Sequence, residues 1–374
     1  MKKRFVSIDI FRGFAIIYMI FSHMATWGHK IGISFIFDII VYLIDGLGAE
    51  GFMFISGLSL TLSYQNNMNK IKNVNEYKQY RLEFFIRAIL IFVVGFFQYN
   101  LLVSISFGFQ YLWVWYIFQT LSISMILIWP LLKCKKIIKI LFGVIFLILH
   151  QILFETLNKN GVIFYIFYNG FLASPLLGFF PFFIFGSILA DLIYEKVNNE
   201  EAKISNKEFI KTFTIPTILI GALVLIVLFV FFPSQVLKAN ELAWLLYSSA
   251  LQLVLFPIFF TIEKLDLIKL KREYKFFFYF SYYSLSVFVI HTLLFSIFSI
   301  LFGYEFFLFK YIILYFVIIF LFYLFLRYIY NKFGRKFALK YHISRLASSI
   351  TLSILEKFYN KEQMMEKKIN KDNN

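Results

Sequence analysis

The sequence has a single cysteine and few charged residues, and each shortage excludes a class of protein. Cys134 has no second cysteine to pair with, so the chain cannot be a disulfide-stabilised domain. Only 16% of the 374 residues are charged and 60% are hydrophobic, whereas soluble domains carry about 25% charged residues. Even a large soluble domain leaves roughly a quarter of its unfolded surface in water. This composition therefore excludes a soluble globular protein.

The net charge of +16 does not indicate a nucleic-acid-binding protein. The basic residues cluster between apolar segments rather than on one soluble face, which is the pattern that encodes membrane topology. Attraction to the membrane surface is the second interpretation of this charge. We therefore expect membrane lipid as a partner and no nucleic acid. Lysines beside Cys134 would favour its thiolate, but no partner residue supports a catalytic role for it.

Apolar segments of transmembrane length recur along the chain. A helix needs about 20 apolar residues to cross a bilayer, and the segments that approach this length are 8–27, 49–65, 86–104, 111–131, 138–155, 171–191, 212–233, 243–262, 276–301 and 306–328. The sequence therefore predicts an all-α, polytopic integral membrane protein with about ten transmembrane helices. Residues 31–47 are interrupted by Asp38 and Asp45, so they are predicted to form a short interfacial or re-entrant helix.

The distribution of basic residues also predicts the orientation. The predicted outer loops hold only Lys30, Lys159 and Lys238, which places both termini on the cytoplasmic side of the plasma membrane. Residues 1–330 are predicted to form the membrane domain, and 331–374 a basic amphipathic cytoplasmic tail. The aliphatic stripe of this tail suits the inner leaflet, and it consists of Leu339, Ile343, Leu346, Ile350 and Ile354. The polar residues from Lys361 onward are predicted to be disordered.

Ionisable side chains within a membrane span are costly and therefore indicate function. Asp9 and Arg12 lie three residues apart on the first span, a spacing that suits a local ion pair or an anionic-ligand site. His23 lies about 16 Å further along, at roughly 1.5 Å per residue. A histidine there suits proton transfer, although it could instead hydrogen-bond to a neighbouring helix. His29, in the outer loop, is the weaker candidate.

The second span combines a carboxylate with small residues. Glu50, near the outer end, could assist a histidine or lie in water. Ser56 and Gly57 form part of a small face that lets another helix approach closely, so packing is the default interpretation of this pair.

These segments resemble the acyltransferase 3 superfamily, and most closely the branch that includes the heparan-alpha-glucosaminide N-acetyltransferase catalytic domain. Asp9-Ile10-Phe11-Arg12-Gly13 is similar to a D-x-x-R-G motif, a histidine follows eleven residues after the arginine, and an aromatic-rich run ends in Ser56-Gly57. Ser284 to His291 is similar to a motif of a late span, with Phe288 and Val289 replacing Tyr and Leu. We predict that His291 lies near His23 or across the same cavity, although it could instead be a packing histidine bonded to a backbone carbonyl. Weaker similarity covers 115–122 and 181–186.

The resemblance implies transfer of an acyl group, in the first place acetyl, from acetyl-CoA on the inside. The acceptor would be a hydroxyl or amine of a glycan or lipid-linked sugar on the outside, and no metal is implied. By this resemblance the donor-binding residues are Arg12, Asp9, Arg81 and Arg87, the catalytic candidates are His23, His29 and Glu50, and the other motif residues are Gly13, Ser56, Gly57 and His291.

The sequence also departs from the family pattern. Arg81 and Arg87 lie six residues apart, whereas some members carry two arginines three apart. The heparan branch often has asparagine at the position of His23, which makes His29 the alternative base. Two further classes stay open: a multi-pass small-molecule transporter, although no inverted repeat is evident, and a structural or regulatory membrane protein. The sequence leaves open whether the chain forms a homo-oligomer.

Overall fold

A computed structural model describes residues 5–28, 43–101, 104–105, 108–158, 161–168, 176–198, 205–236, 238, 241–266, 274–291 and 308–372. The regular structure in these ranges is helical, and they contain no β-strand. The principal helices are α1 (Val6–Gly28), α2 (Ala49–Met68), α3 (Val74–Gly95), α4 (Ile117–Leu131), α5 (Lys136–Thr156), α6 (Val162–Tyr168), α7 (Leu176–Ile193), α8 (Ile215–Phe231), α9 (Leu242–Lys264), α10 (Lys275–Tyr282), α11 (284–291), α12 (Leu308–Phe333) and α13 (Leu339–Asp372).

Shorter turns extend or connect these helices. π-helical turns cover Phe96–Leu101 after α3, Tyr194–Asn198 after α7 and Ile210–Thr214 before α8. 3-10 turns cover Phe109–Trp113 and Gly334–Phe337, and single-turn α-helices cover Asn206–Phe209 and Pro233–Val236.

Seven helical stretches are long and apolar enough to cross a membrane, and they confirm the predicted all-α membrane class for the part of the chain that the structure describes. They are Val6–Met24, Leu43–Met68, Lys136–Thr156, Leu176–Val197, Asn206–Phe231, Leu242–Lys264 and Ile312–Phe358. The stretch that contains α7 is the most buried of the seven, since 89% of its most apolar 18 residues are buried, compared with 22% for α5. Most side chains of α5 are therefore placed to face lipid.

The other predicted spans differ from these seven for identifiable reasons. The helix in 111–131 is only 15 residues long, because α4 begins at Ile117. The span at 86–104 belongs to α3, whose first three turns carry charged residues such as Glu76 and Arg81. The span at 276–301 is described only as far as residue 291, and the predicted helix at 31–47 lies mostly outside the described residues.

Helices α2 and α7 cross in close contact at a pair of glycines. A Cβ atom on Gly57 would collide with the carbonyl oxygen of Phe183, and a Cβ on Gly186 would collide with that of Phe54. Gly57 thus contacts Phe183, which lies three residues before Gly186, and Gly186 contacts Phe54, which lies three residues before Gly57. Small residues permit this approach between membrane helices, so the default interpretation of Ser56-Gly57 as a packing motif agrees with the contact made by Gly57.

A buried polar network continues from this crossing and shows that α2 and α7 run parallel. Thr61 donates a hydrogen bond to Ser187 at 2.9 Å, and Gln65 donates one to Asp191 at 2.6 Å, so both pairs are separated by 126 residues. A constant separation requires parallel helices. Lys139 on α5, which is fully buried, completes the network with an ion pair to Asp191 and a hydrogen bond to Ser187.

Helix α1 is anchored to α9 and α10. The backbone N–H groups of Val6 and Ser7 donate to the two carboxylate oxygens of Glu263, at 2.8 and 2.7 Å. This carboxylate satisfies amide groups that the first turn of any helix leaves without an intrahelical partner. A Cβ atom on Gly13 would collide with the carbonyl oxygen of Phe277, so Gly13 allows α10 to pack directly on α1.

The C-terminal helix α13 packs on α3 through a face that the sequence pattern predicted only in part. Ile343, Ala347 and Thr351 are buried, whereas Leu346 of the predicted stripe is half exposed. Ile343 of the predicted stripe thus lies in the packed face, to which the smaller Ala347 and Thr351 are added, and the predicted contact of this helix with the inner leaflet stays a prediction. The prediction of disorder after Lys361 is wrong, since α13 continues to Asp372.

Candidate active site

Two histidines from distant parts of the chain meet between α1 and α11. The Nδ1 atom of His23 lies 2.9 Å from the Nε2 atom of His291, and the ring centroids are 5.1 Å apart with an angle of 20° between the planes. His291 is 3% exposed. His23 lies in the last third of α1, and α11 brings His291 to it across 268 residues of sequence.

A backbone carbonyl determines how protons are arranged in this pair. The Nδ1 atom of His291 lies 3.2 Å from the carbonyl oxygen of Val287. A carbonyl can only accept a hydrogen bond, so His291 donates from Nδ1 and, when neutral, accepts at Nε2. His23 then donates from Nδ1, which places the basic lone pair of its ring on Nε2. The pair therefore favours one tautomer of His23, the arrangement that a general base requires.

Aromatic and amide side chains hold α11 in position. The rings of Phe288 and His291 have centroids 5.3 Å apart, and Phe288 makes an edge contact with Phe118 at the start of α4. Gln98 donates from Nε2 to the carbonyl oxygen of Val289 at 3.3 Å. Gln98 belongs to the π-helical turn after α3, and such turns occur frequently at functional sites. Together with His23 on α1, α4 and the π-helical turn therefore fix the helix that carries His291.

Two carboxylates lie beside the histidine end of α1. Ser22, the residue before His23, donates a hydrogen bond to Asp45 at 2.8 Å. Glu50 is 3% exposed in the first turn of α2, and the charges of Asp45 and Glu50 are close enough to interact. Sequence reasoning proposed Glu50 but did not place Asp45 in the site. The available signal was an aspartate within an apolar segment, which we interpreted only as an interruption of that segment.

The predicted donor-binding residues of α1 form a second polar cluster, nearer its beginning. Arg12 donates a hydrogen bond to Ser59 of α2 and lies 4.0 Å from the carboxylate of Asp9. Ser281 of α10 donates to the same carboxylate at 3.0 Å. The local ion pair considered from the sequence is therefore present, and it is compatible with a ligand at Arg12.

Among the described residues, no hydrogen bond or ion pair connects the other two predicted donor residues, Arg81 and Arg87, to this cluster. Arg81 is exposed on α3, and Arg87 forms an ion pair with Glu83 at 2.6 Å on the same helix. His29 lies outside the described residues. No group of three or more His, Cys, Asp or Glu side chains that could hold a metal ion occurs among the residues with described positions.

Comparison with known proteins gives one family. The family described as heparan-alpha-glucosaminide N-acetyltransferase, catalytic, matches residues 4–233, which is more than half of the chain. The matched region includes the Asp9–Arg12 cluster, His23 and both carboxylates, and it ends before His291. No curated protein matches the sequence. The wider resemblance to the acyltransferase 3 superfamily stays a prediction.

Proposed function

The chain belongs to the heparan-alpha-glucosaminide N-acetyltransferase catalytic family, and from this premise we propose that it transfers an acetyl or similar acyl group from a cytoplasmic coenzyme A thioester to an extracytoplasmic sugar. The family is one of membrane N-acetyltransferases that act on glycans. The acceptor group would be a hydroxyl or amine of a glycan or lipid-linked sugar. The observation that carries the proposal is the contact between His23 and His291 within the membrane-spanning region.

In this proposal His23 accepts a proton from the acceptor as the acceptor attacks the thioester carbonyl. The carbon–sulfur bond then breaks, and the proton passes to the coenzyme A thiolate, which leaves as the thiol. Its Nε2 atom is the basic one in the tautomer favoured by the pair, and a histidine base is effective near neutral pH. His291 acts as a positioning residue, because its bond to Val287 determines which nitrogen of His23 carries the proton. Glu50 stays a candidate for assisting this transfer.

The donor is proposed to bind at the opposite end of α1. Arg12 offers a guanidinium group whose planar set of donors matches phosphate oxygens, and Asp9 with Ser59 holds it in place. Arg81 is exposed and could contact the nucleotide part of a long donor from α3. About 16 Å of α1 separates Arg12 from His23, at roughly 1.5 Å per residue. An extended thioester can span that separation.

The finer topology belongs to the same proposal. We infer about ten membrane crossings in the plasma membrane, a membrane domain over 1–330 and a cytoplasmic tail over 331–374, with both termini cytoplasmic. Reporter tags at both termini should then give a cytoplasmic signal, and a tag inserted between Gln235 and Val236 should lie outside. Labelling of introduced cysteines within 196–207 by an impermeant reagent added from outside would contradict this orientation.

The proposed function can be tested with purified protein in lipid vesicles. Radiolabelled acetyl-CoA should transfer its label to an amino-sugar glycoside, and the label should stay with the sugar after chromatography. The family match gives no support to the transporter alternative, which predicts solute uptake into the vesicles without label transfer. Uptake without acetylation in the same preparation would therefore overturn the proposed function.

The donor side is tested in the same preparation with Arg12→Ala. Coenzyme A affinity should fall about 10- to 100-fold, because a hydrogen bond to a charged group contributes roughly 1.5–3 kcal/mol. Removing Arg12 also takes a partner from Asp9, so the thermal unfolding midpoint is measured in parallel, and Asp9→Asn serves as the matched control for that loss. Unchanged coenzyme A affinity in folded Arg12→Ala would exclude Arg12 from the donor site.

A further inference from the structure

The turn that precedes α2 concentrates negative charge without a described counterion. The backbone N–H of Gly48 donates to the carbonyl of Asp45 at 2.9 Å, so residues 45–48 form a tight turn into α2. Asp45 in this turn and Glu50 in the following helical turn both lie within a candidate membrane span. Among the ion pairs of the described residues, none involves either carboxylate. Two neighbouring carboxylates in a membrane are costly unless a proton or a cation compensates them.

Helix α9 adds unpaired polar atoms to the same turn. Gln252 is fully buried and donates from Nε2 to the carbonyl oxygen of Gly46 at 2.9 Å. Because that carbonyl can only accept, the amide oxygen of Gln252 is oriented as an acceptor, and it has no partner. Ser248 lies one turn earlier on α9 and is also fully buried, and its hydroxyl has no hydrogen-bond partner. This hydroxyl lies against Gly46, because a Cβ atom added to Gly46 would be 2.5 Å from the Oγ atom of Ser248.

These groups share one chemical requirement. The two carboxylates and the amide oxygen of Gln252 accept hydrogen bonds. Ser22 donates to Asp45, the backbone N–H of Glu50 donates to its own carboxylate, and the Ser248 hydroxyl is an unused donor nearby. Buried acceptors without donors cost free energy. A ligand that complements them must supply several N–H donors together with positive charge. A primary ammonium group has three donors and a full charge, whereas a hydroxyl has one donor and no charge.

We propose that Asp45 and Glu50 bind the ammonium group of an amino-sugar acceptor and so act as specificity-determining residues, an assignment that rests on the proposed acetyl transfer. Ser22, which donates to Asp45, immediately precedes His23, so the carboxylates and the histidine pair lie at the same end of α1. The bound ammonium group then needs only to lose a proton to become a nucleophile. A sugar without an amine offers these carboxylates one hydrogen bond per hydroxyl and no positive charge, so it binds them more weakly.

The test compares Asp45→Asn and Glu50→Gln with Glu241→Gln, a control that removes a carboxylate bound to Lys238 away from this turn. The probes are methyl glucosaminide and methyl glucoside, which differ in the amine. We expect each site variant to raise the KM for methyl glucosaminide about 10- to 100-fold, in line with the loss of a charged hydrogen bond. Acetyl-CoA affinity should not change, the response to methyl glucoside should fall much less than that to methyl glucosaminide, and Asp45→Glu should recover part of the loss.

A purely structural role would instead lower the unfolding midpoint and weaken both sugars equally, and that result overturns the proposal. Wild-type KM for methyl glucosaminide in both folded site variants would also overturn it. Calorimetric binding of methyl glucosaminide separates this proposal from the proposed function. If the wild type binds the amine but transfers no acetyl group, and Asp45→Asn abolishes binding, the carboxylate site stands and the acetyl-transfer assignment fails.

Discussion

Replacing His23 with alanine is expected to slow acyl transfer about 10²- to 10⁴-fold, the range that a lost general base costs. His23 is the side chain whose ring His291 orients, at 2.9 Å, and it follows Ser22, which donates to Asp45 of the proposed acceptor site. The acetyl-CoA dissociation constant should stay near the wild-type value, because Arg12 lies about three turns away on the same helix. Single-turnover label transfer measures the rate, and ligand titration measures the affinity.

His29→Ala provides the matched control for this prediction. It removes a histidine six positions further along, and it should cost much less activity than His23→Ala. If His29→Ala abolished transfer while His23→Ala kept most of it, the base would be His29, as in the heparan-type arrangement. His23 would then have an orienting or packing role in its contact with His291.

Gly57→Ala is expected to destabilise the protein more than any other single-methyl change on α2. The added Cβ would collide with the backbone carbonyl of Phe183, and a backbone atom of the most buried helix cannot rotate away as a side chain can. Overpacking of a close-packed interior costs typically about 1–3 kcal/mol, and we expect at least that amount. Gly186→Ala should behave similarly, because its Cβ would meet the carbonyl of Phe54.

Gly51→Ala on the same helix is the control. Its Cβ would lie 3.6 Å from the Phe11 ring and 3.8 Å from Ala15, which are ordinary contacts. Alanine is also the better helix former by about 0.8–1 kcal/mol. Thermal unfolding midpoints in detergent should therefore rank Gly57→Ala well below Gly51→Ala. Equal midpoints for the two variants would mean that α2 and α7 do not cross as closely as described.

Local sequence patterns predicted the parts of this fold that depend on one segment at a time. Hydropathy indicated the helical membrane class, and the cost of an ionisable group in a membrane directed attention to Asp9, Arg12 and His23. The family motif added His291, and the prediction that it lies near His23 agrees with their 2.9 Å contact. That contact depends on how α11 packs between α1, α4 and the π-helical turn of α3, which no pattern within one segment encodes.

The missed features depend on pairing between segments. Asp45 looked like an interruption of an apolar run until Ser22 and Glu50 were placed beside it. Lys139 is fully buried because Asp191, 52 residues later, supplies its counterion, a pairing that no local pattern indicates. Likewise, the burial of Ala347 and Thr351 depends on the contact of α13 with α3 and not on the periodicity of α13 alone.

The contact between His23 and His291 has a consequence for how the protein is made. The 268 residues between the two histidines take roughly 13 to 54 s to synthesise at about 5–20 residues per second. The amide groups at the start of α1 wait almost as long for Glu263, which lies 257 residues beyond Val6. Helix α1 is therefore completed long after it leaves the ribosome. A chain released before α11 is made would carry the Asp9–Arg12 motif but not the second histidine, so translation itself delays the assembly of the site.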